Sequence, residues 1–372
     1  MHVFIVNEKT FKYHLEYKFV GTGASNKAAL FLDEPNTEKI HSSTERNLVG
    51  MIADISRVRK GDKVIFYLTG AGKFYGVFKV VDIAFYDKID DNYLEKELGK
   101  MLSFRVLIEP DNVYAKGITE RECLDSLKDI EKPYEMCWSL IYRKLKGNRG
   151  CTMILDYEFD RIHNLIKKKN KDVELTGDNF SYDPLKEEII EILDSKKYLG
   201  NQYSIDIFKR LLHKEKTKKA FEVHLQAYIL QNYDRGQLYD FLFEKTYRTK
   251  WIGNEVSCGV GMQRIDIMTI SEDSDKVNIK IIELKQTGPY IEIIEGQIDW
   301  YVQWCIDYVV PNYINKNITI QPIVLAKKIE DIKEFKKESL QFKRNQEKVK
   351  IENVSYIAFE VEEDEIKFER VF

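Results

Sequence analysis

The chain has 372 residues, more than one hydrophobic core ordinarily organises, so two domains are expected. Its 44% hydrophobic content supports packed cores, and its 32% charged content, mixed in sign, argues against a disordered polyelectrolyte. A formal charge of −3 argues against a uniformly basic nucleic-acid coat but leaves room for a local basic groove beside carboxylate clusters.

In chain order, Met1–Val6 carries no basic leader and reads as a strand rather than a signal peptide. No apolar run approaches a membrane span, so a soluble, cytoplasmic protein with no membrane partner is expected. Cys123, Cys137, Cys151, Cys258 and Cys305 are odd in number and form no CxxC pair, which speaks against a thiolate zinc site and a disulfide framework. Strands are expected at Val3–Val6, Lys63–Leu68, Phe74–Val81 and Phe104–Ile108, with a hairpin turn at Thr69–Lys73. Leu48, Met51, Ile52 and Ile55 recur at helical spacing within Glu45–Val58. Residues 1–165 therefore read as a small α+β domain. Near its end, a helix is expected at Trp138–Arg143. The basic loop after it holds Arg143, Lys144, Lys146 and Arg149 among Gly and Asn, which suits phosphate contacts; a solvated loop is the competing account.

The run Lys167–Lys171 and the polar stretch to Ser181 suggest a solvated linker. Asp183-Pro184 is expected to open a helix with Leu185, Ile189, Ile192 and Leu193 on one face, making 166–215 a linker and helical bridge. From residue 216 to 372 the pattern changes. A helix at Thr217–Gln231, strands around Gly261–Ile270 and Val277–Lys285, a helix at Tyr290–Val310 and strands at Thr319–Leu325 and Val354–Val361 suit a mixed sheet flanked by helices. Ile291, Ile294, Ile298, Val302 and Cys305 form the buried stripe of the second helix.

The two middle strands carry the chemistry. The two-residue period puts Glu283 and Lys285 on one face, and a hairpin near Asp273–Asp275 brings Asp266 opposite or diagonal to Glu283. Two carboxylates in otherwise apolar strands are costly unless a cation neutralises them. Mg²⁺, held by two carboxylates plus water and phosphate oxygens, fits that need, with Mn²⁺ expected to substitute. An ordinary hairpin with a Glu–Lys pair on a solvated face is the plainer alternative. His224 reads as a surface histidine.

Residues 216–310 resemble the PD-(D/E)XK nuclease superfamily, in particular its mismatch and single-strand endonuclease branch. The resemblance rests on Glu222, on Gly261 with Asp266, on Glu283 with Lys285, and on Gln297 with Tyr301. It implies Asp266 and Glu283 as metal ligands, Lys285 as the water-positioning group, Glu222 as an accessory carboxylate and Gln297 as support. The first 165 residues resemble the PUA-like superfamily, closest to its YTH and EVE branches. The match runs through His2–Asn7, Lys60–Tyr67, Gly72–Val80, Phe85–Asp87 and Phe104–Ile108. It implies a β-barrel that takes a flipped, modified base in an aromatic pocket, for which Phe19, Thr22, Ser25, Asn26, Phe85 and Tyr86 are the candidates. No Trp occurs in Phe19–Lys27, a departure from the usual cage. Together these imply a two-domain α+β and α/β chain acting as a modification-dependent DNA endonuclease on methylated duplex. A homodimer would place two active sites across the strands, and RNA stays open as a ligand of the first domain. The alternatives are a structure-specific or mismatch repair nuclease, and a binding module without cleavage.

Overall fold

A computed structural model describes residues 1–23, 30–88, 92–125, 130–135, 137, 150–194, 196–243, 249–258, 263–346 and 348–372. The chain divides into two compact units, Met1–Asp206 and Ile207–Phe372, each mixing helix and sheet. Among the described residues no helix is long and apolar enough to cross a membrane. All five cysteines are free thiols, four of them buried.

The first unit contains β1 (His2–Val6), β2 (Phe19–Thr22), β3 (Lys63–Leu68), β4 (Lys73–Val80), β5 (Phe85–Tyr86), β6 (Phe104–Pro110), β7 (Ile118–Thr119) and β8 (Cys151–Met153). Their sheet has the order β2-β6-β4-β3-β1-β8, with β5 added to β6 and β7 to β4. A parallel pair needs a crossover, and the helix Ser42–Ser56 lies in the segment joining β1 to β3. The sheet curls into a half-barrel. Its two edges approach where a Cβ on Gly150, just before β8, would sit 2.5 Å from Thr22 Oγ1 at the end of β2, so only glycine fits there. The helix Glu8–Tyr17 starts at Asn7 with a reciprocal cap: Thr10 N–H donates to Asn7 Oδ1 at 2.8 Å, and Asn7 N–H to Thr10 Oγ1 at 3.1 Å. It turns Phe11, His14 and Leu15 inward, and Phe11 meets Phe66, Tyr75 and Tyr182 at 5.1–5.2 Å between ring centres.

Residues 166–206 belong to this first unit rather than to a bridge. The helix Asp156–Lys169 takes in the first three lysines of the run and ends there, with Asn170 as its C-cap, and Asp183-Pro184 opens a turn, not a helix. The Asp183 carboxylate accepts the Leu185 and Lys186 N–H groups at 2.9 and 3.2 Å, and Glu187 at φ +53° reverses the chain into a hairpin of β9 (Phe180–Asp183) and β10 (Glu188–Glu191). The supposed apolar face splits accordingly: Ile189 is buried while Leu185 and Leu193 are exposed.

The second unit has β11 (Thr249–Ser257), β12 (Arg264–Glu272), β13 (Lys276–Lys285), β14 (Asn317–Lys327), β15 (Arg344–Gln346), β16 (Val349–Ile351), β17 (Ser355–Val361) and β18 (Ile366–Arg370). The sheet order is β11-β12-β13-β14-β16-β15, with β17 on β14 and β18 on β17. β13 and β14 pair in parallel across a long helical connection; β13 is buried along both faces between its end residues, and β14 along both faces over its second half. That connection runs through Ile293–Ile298, Asp299–Trp304 and Cys305–Val309, its first and last stretches wound in wider π-type turns. Ile294, Ile298, Val302 and Cys305 are its buried stripe. The helix expected over Thr217–Gln231 starts later, at Glu222: Lys218 takes φ +54° in the turn that separates Phe208–Lys216 from Glu222–Asn232.

Candidate active site

The site grows from the hairpin of β12 and β13. Their ladder runs from Glu272↔Val277 to Ile267↔Ile282 and stops one pair short of Asp266 and Glu283. In its place the Leu284 N–H donates to Asp266 Oδ2 at 2.7 Å, so the two strands part where the carboxylates stand. Glu283 is 2% exposed, and Lys285 Nζ donates to its Oε1 at 2.5 Å. Among the described residues Glu283 Oε2 accepts no hydrogen bond. The Tyr301 hydroxyl stands beside this carboxylate but donates to the Arg264 carbonyl at 2.9 Å. Asp266, Glu283 and Lys285 thus meet as their spacing implied.

Burial, followed by the neighbouring Glu283, pushes the Asp266 carboxyl well above the ordinary range. Glu283 is raised too; burial dominates, Glu222 adds, and Lys285 works against both. Burial opposes the Lys285 ammonium, yet Glu283, Glu222 and Asp266 outweigh it and raise its pKa. Tyr301 is raised by burial and then by Glu283. The cluster gathers the carboxyl groups of Asp266, Glu283 and Glu222 around the single ammonium of Lys285.

Glu222 opens the helix Glu222–Asn232 and is half-buried, close enough to act on both site carboxylates. Its position depends on Gln286, which sequence reasoning missed. Phe221 offers no side-chain acceptor as the helix cap, and Gln286 Oε1 accepts the Phe221 and Glu222 N–H groups at 2.6 and 3.2 Å. Gln226, one turn along the helix, donates through Nε2 to the Asp266 carbonyl at 2.9 Å and to Glu255 Oε1 at 3.5 Å. Glu255 was also missed. It lies on β11 between the pairs Asn254↔Ile267 and Val256↔Ile265, which puts it across from Asp266. It holds φ +50°, an unfavourable conformation for a residue with a Cβ, and pairs with Arg264 Nη1 at 2.8 Å. A signal existed for neither: Gln286 follows the Glu-x-Lys strand as an ordinary polar residue, and Glu255 lies in a strand whose Gly253 and Asn254 hide its period.

Gln297 sits half-buried on the same helix as Tyr301, without a hydrogen bond to the carboxylates among the described residues. Gly261 lies outside the described residues. His224 is not at the surface: it is 2% exposed, because both sides of its helix are packed. Among the described residues no three His, Cys, Asp or Glu side chains form a closed metal cage. Mg²⁺ does not need one, since it commonly keeps several waters and takes one or two carboxylates. The unpaired Glu283 Oε2 beside Asp266 is the donor set such an ion uses.

In the first unit the aromatic candidates are core residues. Phe19 is fully buried, 4.8 Å from the His14 ring and 5.2 Å from Tyr198, with the Arg105 guanidinium 4.9 Å above it. Phe85 packs on Tyr198 at 5.4 Å and Tyr86 on Phe104 at 6.0 Å. Arg105 anchors this cluster from inside, pairing with Asp87 at 2.8 Å and donating to Asn92 Oδ1 and the Tyr93 carbonyl, each at 2.7 Å. Thr22 lines a cavity instead. Ser25, Asn26, Trp138, Arg143, Lys144, Lys146 and Arg149 lie outside the described residues. No protein-family model matches the chain, and no curated protein matches it.

Proposed function

We propose that the chain is a Mg²⁺-dependent DNA endonuclease of the PD-(D/E)XK kind, whose first unit, PUA-like in this reading, selects a methylated base. The observation that carries the nuclease reading is the meeting of Asp266, Glu283, Lys285 and Glu222 where β12 and β13 part. A like-charged, poorly hydrated cluster with an unpaired carboxylate oxygen is the environment a divalent cation stabilises.

Asp266 and Glu283 would hold the ion, with Glu222 facing it from the helix. When bound, Mg²⁺ supplies a Lewis acid that polarises the scissile phosphate and lowers the pKa of water. The chain's own groups supply the rest. Lys285, held against Glu283, carries its charge beside the reacting phosphate, where it can orient the attacking water and stabilise the negative charge that develops on oxygen. The water oxygen bonds to phosphorus as the bond to the leaving sugar oxygen breaks. The Leu284 N–H and the Gln226 amide fix the Asp266 carboxylate and backbone, so the site's geometry exists before substrate arrives.

The test is incubation with Mg²⁺ of matched plasmids that are unmodified, bear N6-methyladenine or bear 5-methylcytosine, with Glu283→Ala as control. Cutting confined to one modified plasmid and abolished by Glu283→Ala is expected. Equal cutting of all three would overturn the reader, and cutting that survives Glu283→Ala would overturn the site.

A further inference from the structure

The site face of the second sheet carries another cation besides Lys285. Arg264 stands two residues before Asp266 on β12, so the strand period puts both side chains on one face. Its side chain is 38% exposed, against 15% for Lys285, so it meets solvent more fully. The backbone beneath it is fixed: Arg264 pairs with Ser257 on β11, and its carbonyl accepts the Tyr301 hydroxyl at 2.9 Å. The guanidinium donates through Nη1 to Glu255 Oε2 at 2.8 Å. Among the described residues no other hydrogen bond engages it. A guanidinium spreads its five N–H donors over a planar fork, so the remaining edge is left for an acceptor from outside the chain.

Glu255 fixes where that edge points. The strand order β11-β12-β13 sets Glu255 across from Asp266 on the side away from Glu283. There it adds a fourth carboxylate to a face that already holds Asp266, Glu283 and Glu222. It also takes φ +50°, unfavourable for any residue with a Cβ. Such a conformation persists where neighbours impose it, and Glu255 is held by the Arg264 guanidinium and, at 3.5 Å, by the Gln226 amide. Partly exposed ion pairs contribute little to stability, so the fold alone gains little from keeping both charges. The pair holds the Arg264 charge toward β11, about one strand spacing (~4.8 Å) from the seam of β12 and β13 where Lys285 acts. The two cations therefore meet different phosphates.

Resting on the reading of the second unit as a Mg²⁺-dependent nuclease, we propose that Arg264 grips the phosphate next to the scissile one on the cut strand, with Glu255 as the positioning residue that aims its guanidinium. A fork of N–H donors meets two oxygens of one phosphate and so sets the register of the strand against Asp266 and Glu283. It adds no base preference, since phosphate contacts position the duplex and base contacts specify it.

Two measurements on the full-length chain test this. Affinity for fluorescein-labelled duplexes bearing 5-methylcytosine or N6-methyladenine is followed by anisotropy in EDTA, so that no cutting intervenes, over a series of NaCl concentrations. Each neutralised phosphate adds ~0.9 to the steepness of log K against log salt, and Arg264→Gln should lose about that amount. Arg264→Lys keeps the charge and should keep the slope. In the Mg²⁺ cleavage assay Arg264→Gln should raise KM about tenfold, with a smaller fall in kcat, and Arg264→Lys should recover part of that loss. Should Arg264→Gln fail to fold because the Glu255 carboxylate is stranded, the double variant Glu255→Gln, Arg264→Gln removes both charges and is read by the same slope. A purely structural Arg264 would lower the melting temperature while the folded fraction keeps the wild-type slope and KM. That result, in a wild type that cuts, overturns this inference alone. A wild type that cuts no plasmid overturns the nuclease reading and this inference with it.

Discussion

Glu283→Gln and Lys285→Ala should separate metal affinity from cleavage. Lys285 Nζ lies 2.5 Å from Glu283 Oε1, with side chains 15% and 3% exposed, so in the absence of metal the ammonium neutralises this carboxylate. Stranding one partner of a buried pair costs ~3–5 kcal/mol. In Lys285→Ala the stranded partner is a carboxylate beside Asp266, and a divalent cation relieves it. In Glu283→Gln the stranded ammonium still has Glu222 and Asp266 nearby, so the cost falls toward the lower end. An ion at a hundredfold excess over its dissociation constant stabilises by ~2.7 kcal/mol, which is roughly 5–10 °C in melting temperature for a unit of this size. Scanning calorimetry with Mg²⁺ or EDTA, beside plasmid cleavage, reads both properties. Wild type should show the shift and cut; Lys285→Ala should keep or enlarge the shift and fail to cut; Glu283→Gln should lose both. A full Mg²⁺ shift in Glu283→Gln would refute the placement of the ion.

Four further outcomes follow from the geometry. Burial holds His2 down at about 4 despite Asp62 at 2.7 Å, so between pH 6.5 and about 4 the unfolded chain binds a proton that the folded one refuses. Stability then falls as pH falls through that window, by up to ~3 kcal/mol, and urea melts at pH 7 and 4.5 should show a smaller loss in His2→Gln. Phe19→Ala should cost ~3–5 kcal/mol of stability in chemical denaturation and leave the DNA affinity of the folded fraction unchanged, since the ring packs between His14, Tyr198 and Arg105. Gln226→Leu removes the amide from the Asp266 carbonyl, and kcat should drop about tenfold while the Mg²⁺ melting shift persists. Gln286→Ala uncaps the helix that begins at Glu222 and should cost ~1 kcal/mol in thermal unfolding.

The sequence made the hairpin of β12 and β13 legible because its signals are local: an apolar two-residue period, a polar turn, and carboxylates that break the period. The same holds for the buried stripe from Ile294 to Cys305. Signals failed where one local pattern fits two structures, and where partners come from far along the chain. Pro184 with leucines and isoleucines around it fits a helix as well as a hairpin, and only the hydrogen bonds of Asp183 and the positive φ of Glu187 decide for the hairpin. Phe19, Phe85 and Tyr86 are aromatic whether they line a pocket or fill a core. What places them in the core is Tyr198 and Arg105 around Phe19, Tyr198 against Phe85 and Phe104 against Tyr86, which no spacing rule connects to them. His14 reads as one polar residue in an amphipathic helix, and its unpaired nitrogens become visible only once its neighbours are known.

The reach of Gln286 back to Phe221 and Glu222 spans 65 and 64 residues. The helix start that bears one acidic group therefore takes its cap from just beyond the strand that bears Glu283 and Lys285. During synthesis the helix leaves the ribosome well before that strand exists. Until β13 has been made and zipped onto β12, Glu222 has an unfinished helix end and Asp266 lacks the Leu284 amide. A half-made chain thus cannot assemble a working centre, and the hydrolytic power of the proposed enzyme arrives only with the later part of the polypeptide.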